Sequence, residues 1–138
     1  MSFDLDFVTH EPQRAGKAIK HAMEEIGFKL SPQAFFSNPE CKYIIEFIPE
    51  PLSVGKEPVK EIRSIKTKLG TLKMLGPTDC VKDRLAAYYH WDDPQSLEQA
   101  VMVALNNKID IAEIKRWSAV ESNENKFNTF VKRLKKNT

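Results

Sequence analysis

The opening residues alternate with a period of two. In Phe3-Asp4-Leu5-Asp6-Phe7-Val8 apolar and acidic positions take turns. Side chains alternate across a strand, so Phe3, Leu5 and Phe7 fall on one face and Asp4 and Asp6 on the other. The period then lengthens. Ala15, Ala18, Ile19, Ala22 and Ile26 recur at helical spacing and predict a helix from Glu11-Pro12 to about Ile26, stopped at Gly27. Pro12 suits its first turn, where a missing N–H has no helical partner. Phe28-Lys29-Leu30 predicts a short strand, and Ser31 to Pro39 reads as turn-rich. Lys42 to Ile48 is apolar on both faces, which predicts a central strand covered on both sides. Glu46 interrupts that run. Burying its carboxylate unpaired costs several kcal/mol, so it needs a partner or a solvent-facing cleft.

Pro49-Glu50-Pro51 ends this strand and Gly55 marks a turn. Lys60 to Lys68 and Thr71 to Leu75, split by Leu69-Gly70, predict a hairpin. From Gly76 the period is helical. Gly76-Pro77-Thr78-Asp79 starts a helix whose buried stripe is Val81, Leu85 and Tyr88. Trp91-Asp92-Asp93-Pro94 breaks it, with the two aspartates read as turn and N-cap. Leu97, Ala100, Val101, Ala104 and Leu105 line a second helix. Asp110 starts a third, carrying Ile111, Ile114 and Trp117. A fourth carries Phe127, Phe130, Val131 and Leu134. Strands first and helices second predict an α+β fold: one domain over 1–138, sheet-rich through 75 and helical from 76 to 138.

Composition narrows the class. At 138 residues the chain has the size of one domain, and 41% hydrophobic with 29% charged residues describes an ordinary globule. A formal net charge of +2 is too small to mark a nucleic-acid binder. Cys41 and Cys80 lie far apart without metal-ligand spacing, which predicts free thiols and a cytoplasmic location. The absence of a long apolar run predicts no membrane association, and no basic-then-apolar leader is seen. His10, His21 and His90 have no mutual spacing that predicts a zinc site.

The chemistry begins with Asp4 and Asp6. Two like charges side by side are unfavourable unless a cation or water separates them. A hard divalent ion such as Mg²⁺ is one partner for them; the wet face of an edge strand is the other explanation. If the strand holding Glu46 is a neighbour, all three carboxylates converge on one point of the sheet. Three acidic groups around Mg²⁺ suit phosphoryl or nucleotidyl transfer, with Glu46 as third ligand and Glu46 or Asp6 drawing the proton from an acceptor hydroxyl.

Asp-Leu-Asp on a strand, a helix, then Ile-Glu-Phe on a later strand resembles the acidic layout of the polymerase-beta nucleotidyltransferase superfamily. The blocks Pro51-Leu52-Ser53-Val54-Gly55, Leu75 to Trp91 (LGPTDCVKDRLAAYYHW) and Ser96-Leu97-Glu98-Gln99-Ala100 resemble a family of small bacterial nucleotidyltransferase-like proteins, related to abortive-infection toxins. The resemblance implies a mixed nucleotidyltransferase-type sheet followed by a helical part. It also implies a nucleoside triphosphate such as ATP as donor, Mg²⁺ held by Asp4, Asp6 and Glu46, and a hydroxyl acceptor on RNA, protein or a small molecule. Lys82 and Arg84 would lie near the nucleotide's phosphates, and an antitoxin or a second copy of the chain would be the protein partner. The superfamily places a Gly-Gly or Gly-Ser turn just before the acidic strand, where backbone N–H groups hold the triphosphate. Here Asp4 comes three residues after Met1 and that element is missing, so the expectation is a truncated sheet and impaired catalysis.

Simpler readings stand beside these. Lys82, Asp83 and Arg84 are consecutive and cannot share a direction, as on a solvated helix face. Tyr88 and Tyr89 read as core and rim, and Trp91 and Trp117 as core. The basic tail, with Lys126, Lys132, Arg133, Lys135 and Lys136, reads as a wet helix face rather than an RNA contact. The alternative function is a non-catalytic interaction module that dimerises through an exposed sheet edge or an uncovered apolar face.

Overall fold

The computed structural model describes residues 3–10 and 16–136. It is a mixed α+β structure whose contacts divide into two compact units, Met1–Leu52 and Ser53–Thr138. That boundary differs from the 75/76 division drawn from periodicity, since the later hairpins group with the helices.

The first unit holds β1 (Asp4–Thr9), α1 (Lys17–Glu25), β2 (Lys29–Leu30), β3 (Phe36–Asn38) and β4 (Cys41–Pro49). Their sheet is mixed, in the order β1-β4-β3-β2, with β1 parallel to β4 and the other pairs antiparallel. α1 begins at Lys17, after the N-cap Gly16; the predicted start at Glu11-Pro12, and Ala15, lie outside the described residues. The buried stripe also differs from expectation. Met23 is buried and Ile19 half-buried, whereas Ala18, Ala22 and Ile26 are exposed. A long methionine four residues after Ile19 buries more apolar surface than an alanine row can.

The helix ends in a Schellman motif. Gly27, at φ +85°, donates to Glu24 O and Phe28 to Met23 O, and Met23 and Phe28 meet in the same apolar cluster. That cluster contains Phe36 and is flanked by Ile19, Ile45 and Phe47. Within this unit, α1 therefore covers the sheet face that carries Ile45 and Phe47. The opposite face carries Ile44, Glu46 and Ile48, so β4 is central but not enclosed as predicted. Phe36, fully buried, lies in a strand where only turns were expected.

The second unit holds the tight hairpin β5 (Ser53–Val54) and β6 (Glu57–Pro58), the longer hairpin β7 (Ile62–Thr67) and β8 (Gly70–Leu75), and four helices. These are α2 (Pro77–Trp91), α3 (Pro94–Asn106), α4 (Ile111–Val120) and α5 (Glu124–Lys136). Capping fixes the starts. Pro77 follows the N-cap Gly76, Asp93 accepts from the N–H groups of Gln95 and Ser96, and Asp110 accepts from Glu113 N. One core joins them, built from Val81, Leu85, Tyr89, Ile114, Trp117 and Phe130 with their neighbours. Tyr89 stacks on Trp117 at 5.6 Å, its hydroxyl lies 2.8 Å from Ser118 Oγ, and burial pushes its phenol up to about 12. Trp117 is core as predicted, but Trp91 is 76% exposed and Ile111 is also exposed.

A buried carboxylate ties β5–β6 to the end of α4. Glu121 is 3% exposed, accepts from Lys56 N at 2.7 Å and lies 3.2 Å from His90 Nε2. Gly55, at φ +59°, is required at this turn, because a Cβ there would overlap the Glu121 carboxylate.

Candidate functional site

The register of β1 on β4 decides where the acidic residues go. Asp4 pairs with Ile44, Asp6 with Glu46 and Phe7 with Phe47. Paired residues of parallel strands share a face, so Asp4, Asp6 and Glu46 lie together on the side opposite α1. The alternation read from Phe3 to Val8 produces this placement, because the partners Ile45 and Phe47 pack toward α1. Asp6 and Glu46 stand next to one another across about 4.8 Å of sheet. Glu46 is half-buried on this face, and its carboxylate has no hydrogen bond or ion pair among the described residues. As the side chains lie, no three His, Cys, Asp or Glu residues surround a common ion position among the described residues.

Lys82 and Arg84 lie in the second unit, on α2. Lys82 does not sit on a solvated helix face. It is 6% exposed, and its Nζ donates to Glu113 Oε1 at 2.7 Å and lies 3.4 Å from Asp79 Oδ1. Arg84 is half-buried, with Nε 3.0 Å from Asp83 Oδ2 and Nη1 3.4 Å from Gln99 Oε1. Both cations are thus partnered by groups of their own unit.

Residues not singled out by sequence complete this second cluster. Arg116 engages both oxygens of Glu57, at 2.9 and 2.6 Å, and both oxygens of Glu113, at 2.7 and 2.6 Å. These bonds hold Glu113 down to about 2, with Arg116 the larger cause and Lys82 the next, and Arg116 also lowers Glu57. The network borders a cleft of about 230 Å³, lined by Val54, Glu57, Lys60, Asp79, Lys82 and Trp117 among others. The i,i+3 pairs Asp79–Lys82 and Glu113–Arg116 were visible as local spacing; their joining across 31 residues was not. The remaining aspartates match expectation, with Asp93 the N-cap of α3 and Asp92 the left-handed cap of α2.

Comparison with protein-family models, curated proteins and solved structures finds no match to this chain. No helix among the described residues is long and apolar enough to cross a membrane.

Proposed function

We propose that the β1–β4 face is the metal and phosphate end of a nucleotidyltransferase-like site, which transfers a nucleotidyl group from a nucleoside triphosphate to a hydroxyl acceptor. The observation that carries this reading is the pairing of Asp6 with Glu46, with Asp4 on the same face. A divalent cation is one group that lowers the repulsion between carboxylates placed together. The donor set fits Mg²⁺: three carboxylates supply hard oxygen ligands, with no thiol or imidazole among them. Same-face positions on one strand are about 6.6 Å apart, so side-chain rotation suffices to bring the oxygens to one ion. Mg²⁺ would neutralise charge on the donor's phosphates.

Asp4, Asp6 and Glu46 would hold the metal, and Glu46 or Asp6 would take the acceptor's proton. The phosphate role implied for Lys82 requires it to exchange Glu113 and Asp79 for phosphate oxygens; Arg84 must likewise leave Asp83 and Gln99. Both exchanges oppose tight nucleotide binding by these two residues.

A second reading rests on a separate observation. Phe3, Leu5 and Phe7 are each more than two-fifths exposed, which leaves an apolar strip on an outer strand of the sheet. An interaction module, paired with a second copy or with an antitoxin-like partner, would use that strip. Titration calorimetry with Mg²⁺ and ATP separates the two. The transferase reading expects binding heat that is lost in Asp4→Asn/Asp6→Asn, and binding that survives the double change rules out the site. No heat in either protein, with a dimer that Leu5→Glu dissociates, supports the interaction module instead.

A further inference from the structure

The β7–β8 hairpin is one of two segments that concentrate positive charge; the other is α5, with Lys126, Lys132, Arg133, Lys135 and Lys136 against the single carboxylate of Glu124. Residues 60–75 contain Lys60, Arg63, Lys66, Lys68 and Lys73 against the single carboxylate of Glu61, a net of +4 in a chain of net +2, so the remainder is net −2. Every residue from Lys60 to Met74 is exposed, and none of the five cations is in an ion pair among the described residues. Elsewhere in this unit Lys82, Arg116, Lys126 and Arg133 have carboxylate partners, whereas Lys132, Lys135 and Lys136 on α5 are in no ion pair among the described residues. A small overall charge therefore conceals a segregated one.

The register sorts the side chains. Ser64 pairs with Lys73 and Lys66 with Thr71, so one face of the ribbon presents two ammonium groups and two hydroxyls without a carboxylate. Arg63 pairs with Met74 and Ile65 with Leu72 on the other face. The tip, Lys68-Leu69, is held by Thr67 Oγ1, which donates to Gly70 O at 2.8 Å and accepts from Leu69 N at 3.2 Å. Six-residue strands make a ribbon about 20 Å long, and a two-stranded ribbon fits the roughly 12 Å wide major groove of B-form DNA. The deep, narrow major groove of A-form RNA does not admit it. Arg63 interrupts the apolar face, which opposes insertion of that face into a lipid layer.

We infer that the β7–β8 ribbon docks in the major groove of duplex DNA, with Lys66 and Lys73 against the phosphates and Ser64 and Thr71 as hydroxyl partners. This interaction is independent of the transferase reading. Contacts of this kind are electrostatic, so affinity falls with salt, by about 0.9 log unit of the binding constant per log unit of salt for each phosphate neutralised.

Fluorescence anisotropy tests it with the full chain and a labelled 20-base-pair DNA duplex, against an RNA duplex of the same sequence and phosphatidylserine vesicles. The DNA duplex should bind with a dissociation constant of about 1–100 μM near physiological salt. Lys66→Gln/Lys73→Gln should weaken binding about tenfold or more and flatten the salt slope by about 1.8. Both positions are exposed, and an unchanged circular dichroism spectrum shows that the variant is folded. DNA binding that is unaltered in this variant, or abolished instead by Lys135→Gln/Lys136→Gln on α5, overturns the proposal. So does binding to RNA or vesicles without binding to the DNA duplex.

Discussion

The two charged clusters of this protein are opposites. On β1 and β4, three carboxylates share a face, and that of Glu46 has no partner among the described residues. Around α2 and α4, Lys82 and Arg116 are interleaved with Asp79, Glu113 and Glu57, and each contact joins opposite signs. The difference separates two uses of charge. A set that compensates itself holds elements together and has little left for a ligand. A cluster of like groups on one face leaves the Glu46 carboxylate for a ligand, and under the proposed function that ligand is a cation.

The largest test of this contrast removes one member of the compensated set. Glu113→Ala leaves the buried Lys82 with Asp79 alone, and stability should fall by about 3 kcal/mol in chemical denaturation. Replacing the lysine as well, in Lys82→Met/Glu113→Ala, should recover much of that loss, because no buried charge remains to be compensated. Additive losses in the double variant would mean that the ion pair is not what couples the two positions.

Acid should act on the same cluster next. Glu113 is held at about 2, below an ordinary value of 4.5. A depressed carboxyl contributes stability that is complete above about pH 4.5 and lost as pH falls toward about 2. The melting temperature should decline through that window, and Glu113→Gln should flatten the decline. An identical pH profile in the variant would assign acid sensitivity elsewhere.

The smallest effect should have the opposite sign. Glu46→Gln removes one of two adjacent like charges, so without divalent cation it should raise stability by about 0.2–1 kcal/mol. Added Mg²⁺ should then stabilise the parent chain and not the variant. A destabilised Glu46→Gln protein would place Glu46 among the structural charges and remove the contrast.

Much of the fold was legible because its periods are local. The 2-residue alternation gave β1, the apolar run gave β4, and Gly76-Pro77, Asp93-Pro94 and Asp110 marked the starts of α2, α3 and α4. Trp91 shows where composition misleads. α2 buries Val81, Leu85 and Tyr89, and two further residues rotate Trp91 by about 200° from Tyr89, away from that stripe. Phe36 was hidden by surrounding turn residues, although a buried aromatic in β3 anchors the cluster under α1. The shared face of Asp4 and Asp6 was readable from alternation alone, whereas the position of Glu46 beside Asp6 depended on strand register. Lys82 was identified from resemblance, but its burial between Asp79 and Glu113 depends on a helix 31 residues away.

The cradle of Glu121 bears on how the second unit is made. Lys56 leaves the ribosome 65 residues ahead of the carboxylate that accepts its amide proton. Until α4 is complete, the Gly55 turn has only solvent to bond, and the β5–β6 hairpin is too short to persist by itself. A chain cut anywhere between Lys56 and Glu121 would lack this clasp, so closure of the hairpin must wait until the end of α4 has emerged.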